Sequence, residues 1–471
     1  MHADIARLTA AEMLRHFRRR TLSPVEATRA ALERIAIFDP RFNAFRLVDG
    51  EGAMAAARES EARWQRGAPI GPLDGVPTTI KDQWMVLGWT TPKGSRTEAG
   101  AGPATEDSPC VARLREAGAV FLGKTTLCEF GWKGIGDSPL TGVSRNPWNA
   151  AMTSGGSSAG AAIAAALGLG ALHIGSDGAG SVRIPAAFCG VVGLKATFGR
   201  VPTYPTGRMQ GISHVGPLVR SVEDAALALN VISGPDWRDA FALPHDPRDW
   251  RIGIDDGIRG LRIAYSRTLG YADVDADVLA CTDRAVDLLA DLGAVVEDCD
   301  PGFADPRAPF ELVWQANLAG VLASIAPEKR PLMDPGYVAA AQAVGPISGE
   351  AILQAGIARA NLTRHMNDFH RRFDLLVTPT LPLAAFDVGR DVPDGRGMTS
   401  WFDWNPFTFP FNATQQPAAS IPCGLTPAGL PVGLQIVGPR YREDLVLRAS
   451  RALESAQPVA LPPGFDGAGL A

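Results

Sequence analysis

Residues 154–200 read SGGSSAGAAIAAALGLGALHIGSDGAGSVRIPAAFCGVVGLKATFGR, two glycine-rich, serine-containing turns on either side of one helix-length apolar segment. Ser157 lies in the first turn and Ser181 in the second. A nucleophilic serine needs a proton acceptor and nearby N–H donors for the oxyanion. Glycine-rich turns supply such donors because the backbone can approach a substrate closely there. The two turns do not match the G-x-S-x-G elbow, since Gly155, Ser157 and Ala159 fill the first and Ala179, Ser181 and Arg183 the second. No G-K-[ST] follows either turn, which excludes a P-loop. Taken singly, each turn is equally compatible with close packing alone.

Working outward, short apolar stretches alternate with glycine-rich turns and helical patterns from about residue 71 to 200: GVPTTIKD, a helix ending near Gly118, AVFLGKTT, the alanine-rich segment and ALHIGSD. That alternation is the pattern of a sheet covered by helices. Residues 1–70 read as N-terminal helices, because Thr9 with Glu12 and Ser23 with Glu26 both make capping boxes, the second with Pro24 at the first helical position. The cationic run RHFRRR, residues 15–20, falls at the end of the first of these, where cations suit the helix dipole. Residues 234–260, rich in Asp, Pro and Trp, read as a long surface connection. LRIAYS restarts a strand, a helix runs through VDLLADLGA, and VVED is a further strand. These belong to a variable, mostly helical excursion over 235–372, before DLLVTPT, ASIPCG and PVGLQIVG return to the sheet in 373–471. The fold class is therefore α/β: a single large domain over 1–471, with a central mixed sheet, helices on both faces, and the serine turns in a core of 71–200.

Composition agrees. Hydrophobic residues make up 46% of the 471 and charged residues 20%, with a mean hydropathy of +0.02, as in an ordinary globular protein. A formal charge of -5 offers no global attraction to phosphate backbones, so nucleic acid is not an expected partner. The most apolar run, residues 159–172, falls short of the ~18 residues that span a bilayer. No apolar leader opens the chain. Membrane insertion and secretion are not expected, and the six scattered cysteines, without a C-x-x-C, fit a reducing, cytoplasmic setting. Neither the cysteines nor the seven histidines have metal-ligand spacing, so no metal is expected.

Together the turns resemble the amidase signature family. The matching residues are GGSSAG at 155–160, GSDGAGSVRIPA at 175–186 and GVVGLKATFGR at 190–200. GVPTTIKD at 75–82 resembles the family's lysine motif and SRNPW at 144–148 its connecting segment, while DLLVTPT and FPFNATQQPAASIPCG resemble its late core strands. The resemblance covers almost the whole chain. It implies a triad of Ser181 as nucleophile, Ser157 held through a cis peptide as bridge, and Lys81 as the neutral base. Desolvation and hydrogen bonding to the neutral amine are the physical route to such a lysine. The alternative for Lys81, on its own residues, is a salt bridge with Asp82.

The same matching implies an oxyanion hole from the N–H groups of Gly178, Ala179, Gly180 and Ser181. Ala179 stands where the family usually has glycine, and a positive φ there would strain it. Ser176 and Asp177 would hydrogen-bond the triad turn, and Ser158 and Arg183 would support the turn or a polar substrate group. Gly131, Trp132 and Lys133 fall where the family lines its acyl pocket, with a core role as the alternative for Trp132. The aromatic run WFDWNPFTFPF, residues 401–411, is pocket wall or core, and its composition suggests an apolar or aromatic acyl group. The implied activity is cofactor-free hydrolysis of a small-molecule amide. The alternatives are the glutaminase component of a tRNA-dependent amidotransferase, a urea- or biuret-type hydrolase, and a non-catalytic binding protein on the same scaffold. A homodimer is the assembly expected on general grounds.

Overall fold

A computed structural model describes residues 2–207, 209, 211–343 and 345–466. In chain order its strands are β1 Phe45–Val48, β2 Pro77–Lys81, β3 Val120–Thr125, β4 Asp137–Ser138, β5 Gly142–Val143, β6 Leu172–Asp177, β7 Val192–Lys195, β8 His214–Val219, β9 Arg262–Tyr265, β10 Val295–Asp298, β11 Leu375–Pro379, β12 Ala418–Leu425 and β13 Pro431–Val437. Eleven form one sheet in the order β1-β3-β2-β6-β8-β7-β12-β13-β11-β9-β10, and β4 with β5 makes a separate two-stranded ribbon. The sheet is mixed: β3, β2 and β6 run parallel to one another, as do β11, β9 and β10, while the strands between these two groups pair antiparallel.

Helices cover both faces. One apolar core lies under helices Ala10–Arg19, Pro109–Glu116, Val222–Ile232, Ala276–Asp291 and Glu443–Ala456. A second lies under Pro24–Phe42, Gly50–Gln65, Ala159–Leu167 and Arg183–Cys189 on the opposite face. Both capping boxes form, Thr9 with Glu12 and Ser23 with Glu26. The helix Ala159–Leu167 is buried on every side, so its alanines are packing residues: Gly160 lies so close to the chain that a Cβ would stand 2.0 Å from the Ala44 carbonyl oxygen.

Five strands, β1, β4, β5, β7 and β8, escape the sequence pattern, and two of them are instructive. β1 is a four-residue edge strand inside the segment expected to be helical, paired antiparallel to β3. β8, HVGPLV, sits between β6 and β7 although it holds a glycine and a proline, residues that argue against an interior strand. Gly216 is required there, because a Cβ would stand 2.0 Å from the Leu194 carbonyl oxygen on β7. Residues 234–260 contain no helix or strand, as expected for a connection, yet Trp250 within them is buried in the first core. No helix among the described residues is long and apolar enough to cross a membrane.

Topology places the motifs. β2 and β6 are parallel neighbours, with Ile80 opposite Ile174. Their C-terminal ends therefore deliver Lys81 and the Ser176, Asp177 pair to one edge of the sheet, the usual location of sites in parallel sheets.

Candidate active site

Lys81 ends β2 fully buried. Its Nζ lies 2.7 Å from Ser157 Oγ, 3.0 Å from Ser158 Oγ and 2.8 Å from Ser176 Oγ. Among the described residues no carboxylate pairs with it directly: the Asp82 side chain turns instead to Lys124 at 3.1 Å and Arg46 at 2.9 Å. Burial pulls the Lys81 ammonium down to about 7, against weaker opposing fields from Cys128 and Asp177.

The hydroxyls around Lys81 have assigned duties. Ser158 Oγ donates to the Ser176 carbonyl at 3.1 Å and receives the Ser176 N–H at 3.2 Å. Ser176 Oγ donates to Gln83 Oε1 at 2.8 Å. Toward Lys81, both can therefore only accept. Ser157 follows a cis peptide bond after Gly156. Its Oγ lies beside Gly131, where a Cβ would come within 3.2 Å.

The second turn is held from behind. Asp177, buried at the end of β6, receives the N–H of Gly180 at 2.7 Å and that of Val182 at 3.2 Å. Burial alone would raise its carboxyl, but the facing Arg183 outweighs burial and holds it well below the usual carboxylate range. The Ala179 carbonyl accepts from Asn405 Nδ2 at 2.8 Å and Thr408 Oγ1 at 2.6 Å. Both ends of the Ala179–Gly180 peptide are thus engaged. Among the described residues no acceptor takes the N–H of Ala179 or Ser181. Ala179 is not at positive φ, whereas Gly180 is, at φ +119, with the side chain of Thr408 filling the space a Cβ would need. The alanine therefore carries no backbone strain, and the glycine is needed one position later.

Ser157, Ser176, Gly178 and Ser181 open on one small cavity of about 50 Å³, walled by Phe130, Gly131, Trp132, Met209 and Trp314, with Gln83, Ser213 and Asn317 as its other polar lining. Gln83, Phe130, Met209, Ser213 and Asn317 also line a wider chamber of about 310 Å³ beyond it. Trp132 lies at the wall; its backbone oxygen receives the Trp314 indole N–H at 3.1 Å and its ring meets Tyr337 edge-on at 5.7 Å. No group of three or more His, Cys, Asp or Glu among the described residues could hold a metal ion. Cys128 is buried nearby, and burial pushes its thiol up to about 12, which leaves it no use as a nucleophile.

Arg183, Lys133 and the run 401–411 all stand back from the cavity; turn support for Arg183 and a core place for the run were among the expected roles, so only Lys133 departs from its expectation. Arg183 does not reach the cavity: its guanidinium is spent on Asp177, the Thr408 carbonyl, Gln435 and Asn412, all in the interior. Lys133 turns away from the serines into a cluster of Asp137, Asp334 and Asp391 at 3.4, 3.0 and 2.8 Å. The aromatic run 401–411 is core, with Trp401, Phe402 and Trp404 packed behind the cavity wall, against Trp314 and one another. The apolar wall comes instead from Phe130, Trp132, Met209 and Trp314. Gln83 had a signal in its place two residues after Lys81. Trp314 and Asn317, one helical turn apart on Arg307–Ser324, had none.

The amidase family profile matches residues 26–447. The chain is 36% identical to an acylamidase of Rhodococcus erythropolis, over 96% of both chains. It is 37% identical to one of the subunits of the glutamyl-tRNA(Gln) amidotransferase of Myxococcus xanthus, over 92% of this chain and 93% of the relative. Among solved structures it superposes on a bacterial aryl acylamidase with a TM-score of 0.89 at 30% identity, covering 96% of each chain. A 6-aminohexanoate cyclic dimer hydrolase in complex with its substrate gives the same TM-score at 29% identity, covering 98% of this chain and 99% of that one.

Proposed function

From the premise that this chain belongs to the amidase signature family, an amide hydrolase acting on C–N bonds other than peptide bonds, we propose that it cleaves a neutral carboxylic amide through a seryl acyl-enzyme on Ser181. The observation that carries this reading is the surroundings of Lys81. A neutral amine has two N–H donors and one lone pair. Ser158 and Ser176 accept the two donors, so the lone pair faces Ser157 at 2.7 Å. Ser157 then gives its proton to Lys81 and accepts that of Ser181, whose oxygen attacks the amide carbonyl.

The oxyanion that forms is met by the N–H groups of Ala179 and Ser181, with Gly178 at the cavity edge; the Gly180 N–H is held by Asp177 and orients the turn. Collapse of the tetrahedral intermediate breaks the C–N bond, and the proton held on Lys81 returns through Ser157 to the departing nitrogen. Water then repeats the sequence on the ester and releases the carboxylate. The described lining at the serines carries no charged side chain and that of the outer chamber adds only the cation Lys93, so no described carboxylate meets the ammonium of a zwitterionic glutamine, which favours a neutral amide over the amidotransferase reading.

The test is intact-mass spectrometry after a fluorophosphonate probe. One adduct on Ser181 in the wild type, absent in Ser181→Ala and retained at reduced rate in Lys81→Ala, is expected. An adduct mapping to Ser157 would reverse the assigned roles. Purification with a second protein, and glutaminase activity dependent on it, would replace the reading with the amidotransferase one.

A further inference from the structure

A second cavity, of about 260 Å³, lies apart from the serines, between the helix Arg307–Ser324 and the helix Gly349–Phe369. Its walls are apolar: Ile212, Phe310, Val313, Ile352 and Leu362 line it, and the one charged residue among the described lining is Arg359. On Arg307–Ser324, Phe310 and Val313 line this cavity while Trp314 and Asn317 line that of the serines, so the helix separates the two.

Arg359 is unlike the other half-buried arginines of the chain. Arg63, Arg238 and Arg307 each meet a carboxylate, Arg145, Arg330 and Arg448 donate to backbone carbonyls, and Arg440 lies over the Tyr441 ring. Among the described residues, Arg359 has no hydrogen bond, ion pair or aromatic partner for its guanidinium, and only burial acts on its ionisation, lowering it. The group is nonetheless accommodated. It lies against Gly211, which is at φ +81 and where a Cβ would stand 2.8 Å from Nη1 and 3.1 Å from Nη2. A fork of five N–H donors beside an apolar chamber, without an anion, is complementary to a carboxylate bearing a hydrocarbon body. The volume suits such a body, since a dry cavity of roughly 150 Å³ holds benzene.

We propose that this cavity is a binding site for a monocarboxylate with an apolar body of medium length, its carboxylate on the Arg359 guanidinium and its chain among Ile212, Phe310, Val313 and Leu362. The site is independent of the reaction assigned to the serines. Binding buries hydrocarbon and supplies the charge partner that the fold omits, so affinity requires both parts of the ligand.

Calorimetric titration of the full chain with octanoate, and with 1-octanol as the uncharged match, tests this. Octanoate is expected to bind at one site, at least tenfold more tightly than 1-octanol. Arg359→Gln should weaken octanoate at least tenfold and leave 1-octanol unchanged. Gly356 lines the cavity and has open space where a Cβ would go, so Gly356→Leu should fill part of the cavity and abolish binding of both. Octanoate that binds no better than 1-octanol, or that binds Arg359→Gln as well as wild type, overturns the proposal. So does binding insensitive to Gly356→Leu, which would place the ligand elsewhere. A changed mass by light scattering in Arg359→Gln, with octanoate binding intact, would make this face a contact between copies and also sink it. Should Gly356→Leu fail to fold, the comparison of the two ligands on Arg359→Gln still decides.

Discussion

Arg183 meets Asp177 as a buried two-point pair, Nε donating to Oδ2 at 3.0 Å and Nη2 to Oδ1 at 2.9 Å. Neither side chain is exposed. Asp177 holds the N–H groups of Gly180 and Val182, on either side of Ser181, so the pair fixes the turn that presents this proposed nucleophile. Arg183→Met leaves a buried carboxylate without its cation, a change that costs about 3–5 kcal/mol. Urea unfolding should show that loss, and kcat should fall with it. Arg183→Lys keeps the charge but not the planar fork, and is expected to recover stability only in part. Wild-type unfolding and turnover in Arg183→Met would remove the pair from any orienting role.

The Lys81 ammonium, drawn down to about 7 by burial, sets the pH dependence. The protonated form has no lone pair for Ser157, so kcat/KM should rise with pH along a single limb with its midpoint near 7 and level off above it. Stability follows the same group with a defined sign. Between about 7 and the ordinary lysine value the unfolded chain holds a proton that the folded chain has given up, so stability rises with pH across that window. The unfolding free energy of Lys81→Met relative to wild type, measured from about pH 6 to 10, should show its largest advantage at the acid end and lose it toward the alkaline end. A pH-independent difference would mean that Lys81 titrates alike in both states.

Ser158 and Ser176 are predicted to act by aiming Lys81. Each accepts one of its two N–H groups. Removing either acceptor lets the amine rotate its lone pair away from Ser157. Ser158→Ala and Ser176→Ala should each lower kcat about 10- to 100-fold, the range in which misplaced proton transfer is felt, with KM nearly unchanged. Steady-state kinetics on one small amide decide this; a rise in KM at constant kcat would make the hydroxyls substrate contacts instead.

How far these residues could be read from the chain depends on the distance over which each acts. Lys81, Ser157, Ser158, Ser176 and Asp177 lie in contiguous motifs, and the parallel pairing of β2 with β6 brings those motifs together at one sheet edge. The capping boxes at Thr9 and Ser23 are local as well, and both form. β8 was illegible because Gly216 and Pro217 break the strand pattern, and the need for glycine arises only from the nearness of β7. Lys133 was misplaced, and the alternatives for Arg183 stayed open, for a related reason. Their sequence neighbours say nothing of Gln435, Asn412, Asp334 or Asp391, which arrive from the distant C-terminal half and claim both cations. Trp314 reaches the cavity wall from a helix whose sequence carries an ordinary apolar pattern.

Trp132 and the space beside the serines give the last prediction, on substrate size. The cavity at Ser157 and Ser181 holds about 50 Å³, well under the roughly 150 Å³ that accommodates a benzene ring. The adjoining chamber holds about 310 Å³. The wall at Trp132 therefore admits a short acyl group beside Ser181 and leaves the larger part of the amide to the outer chamber. Trp132→Leu shortens that wall while keeping an apolar side chain. It should raise kcat/KM for benzamide relative to acetamide about tenfold, since a change of a few carbon atoms in a pocket is worth that much discrimination. Because Trp132 also packs on Tyr337 and receives the Trp314 indole, the variant's melting temperature must be measured alongside. A folded Trp132→Leu enzyme with an unchanged benzamide-to-acetamide ratio would return Trp132 to a packing role, and the acyl group would have to lie toward Met209 and Ser213.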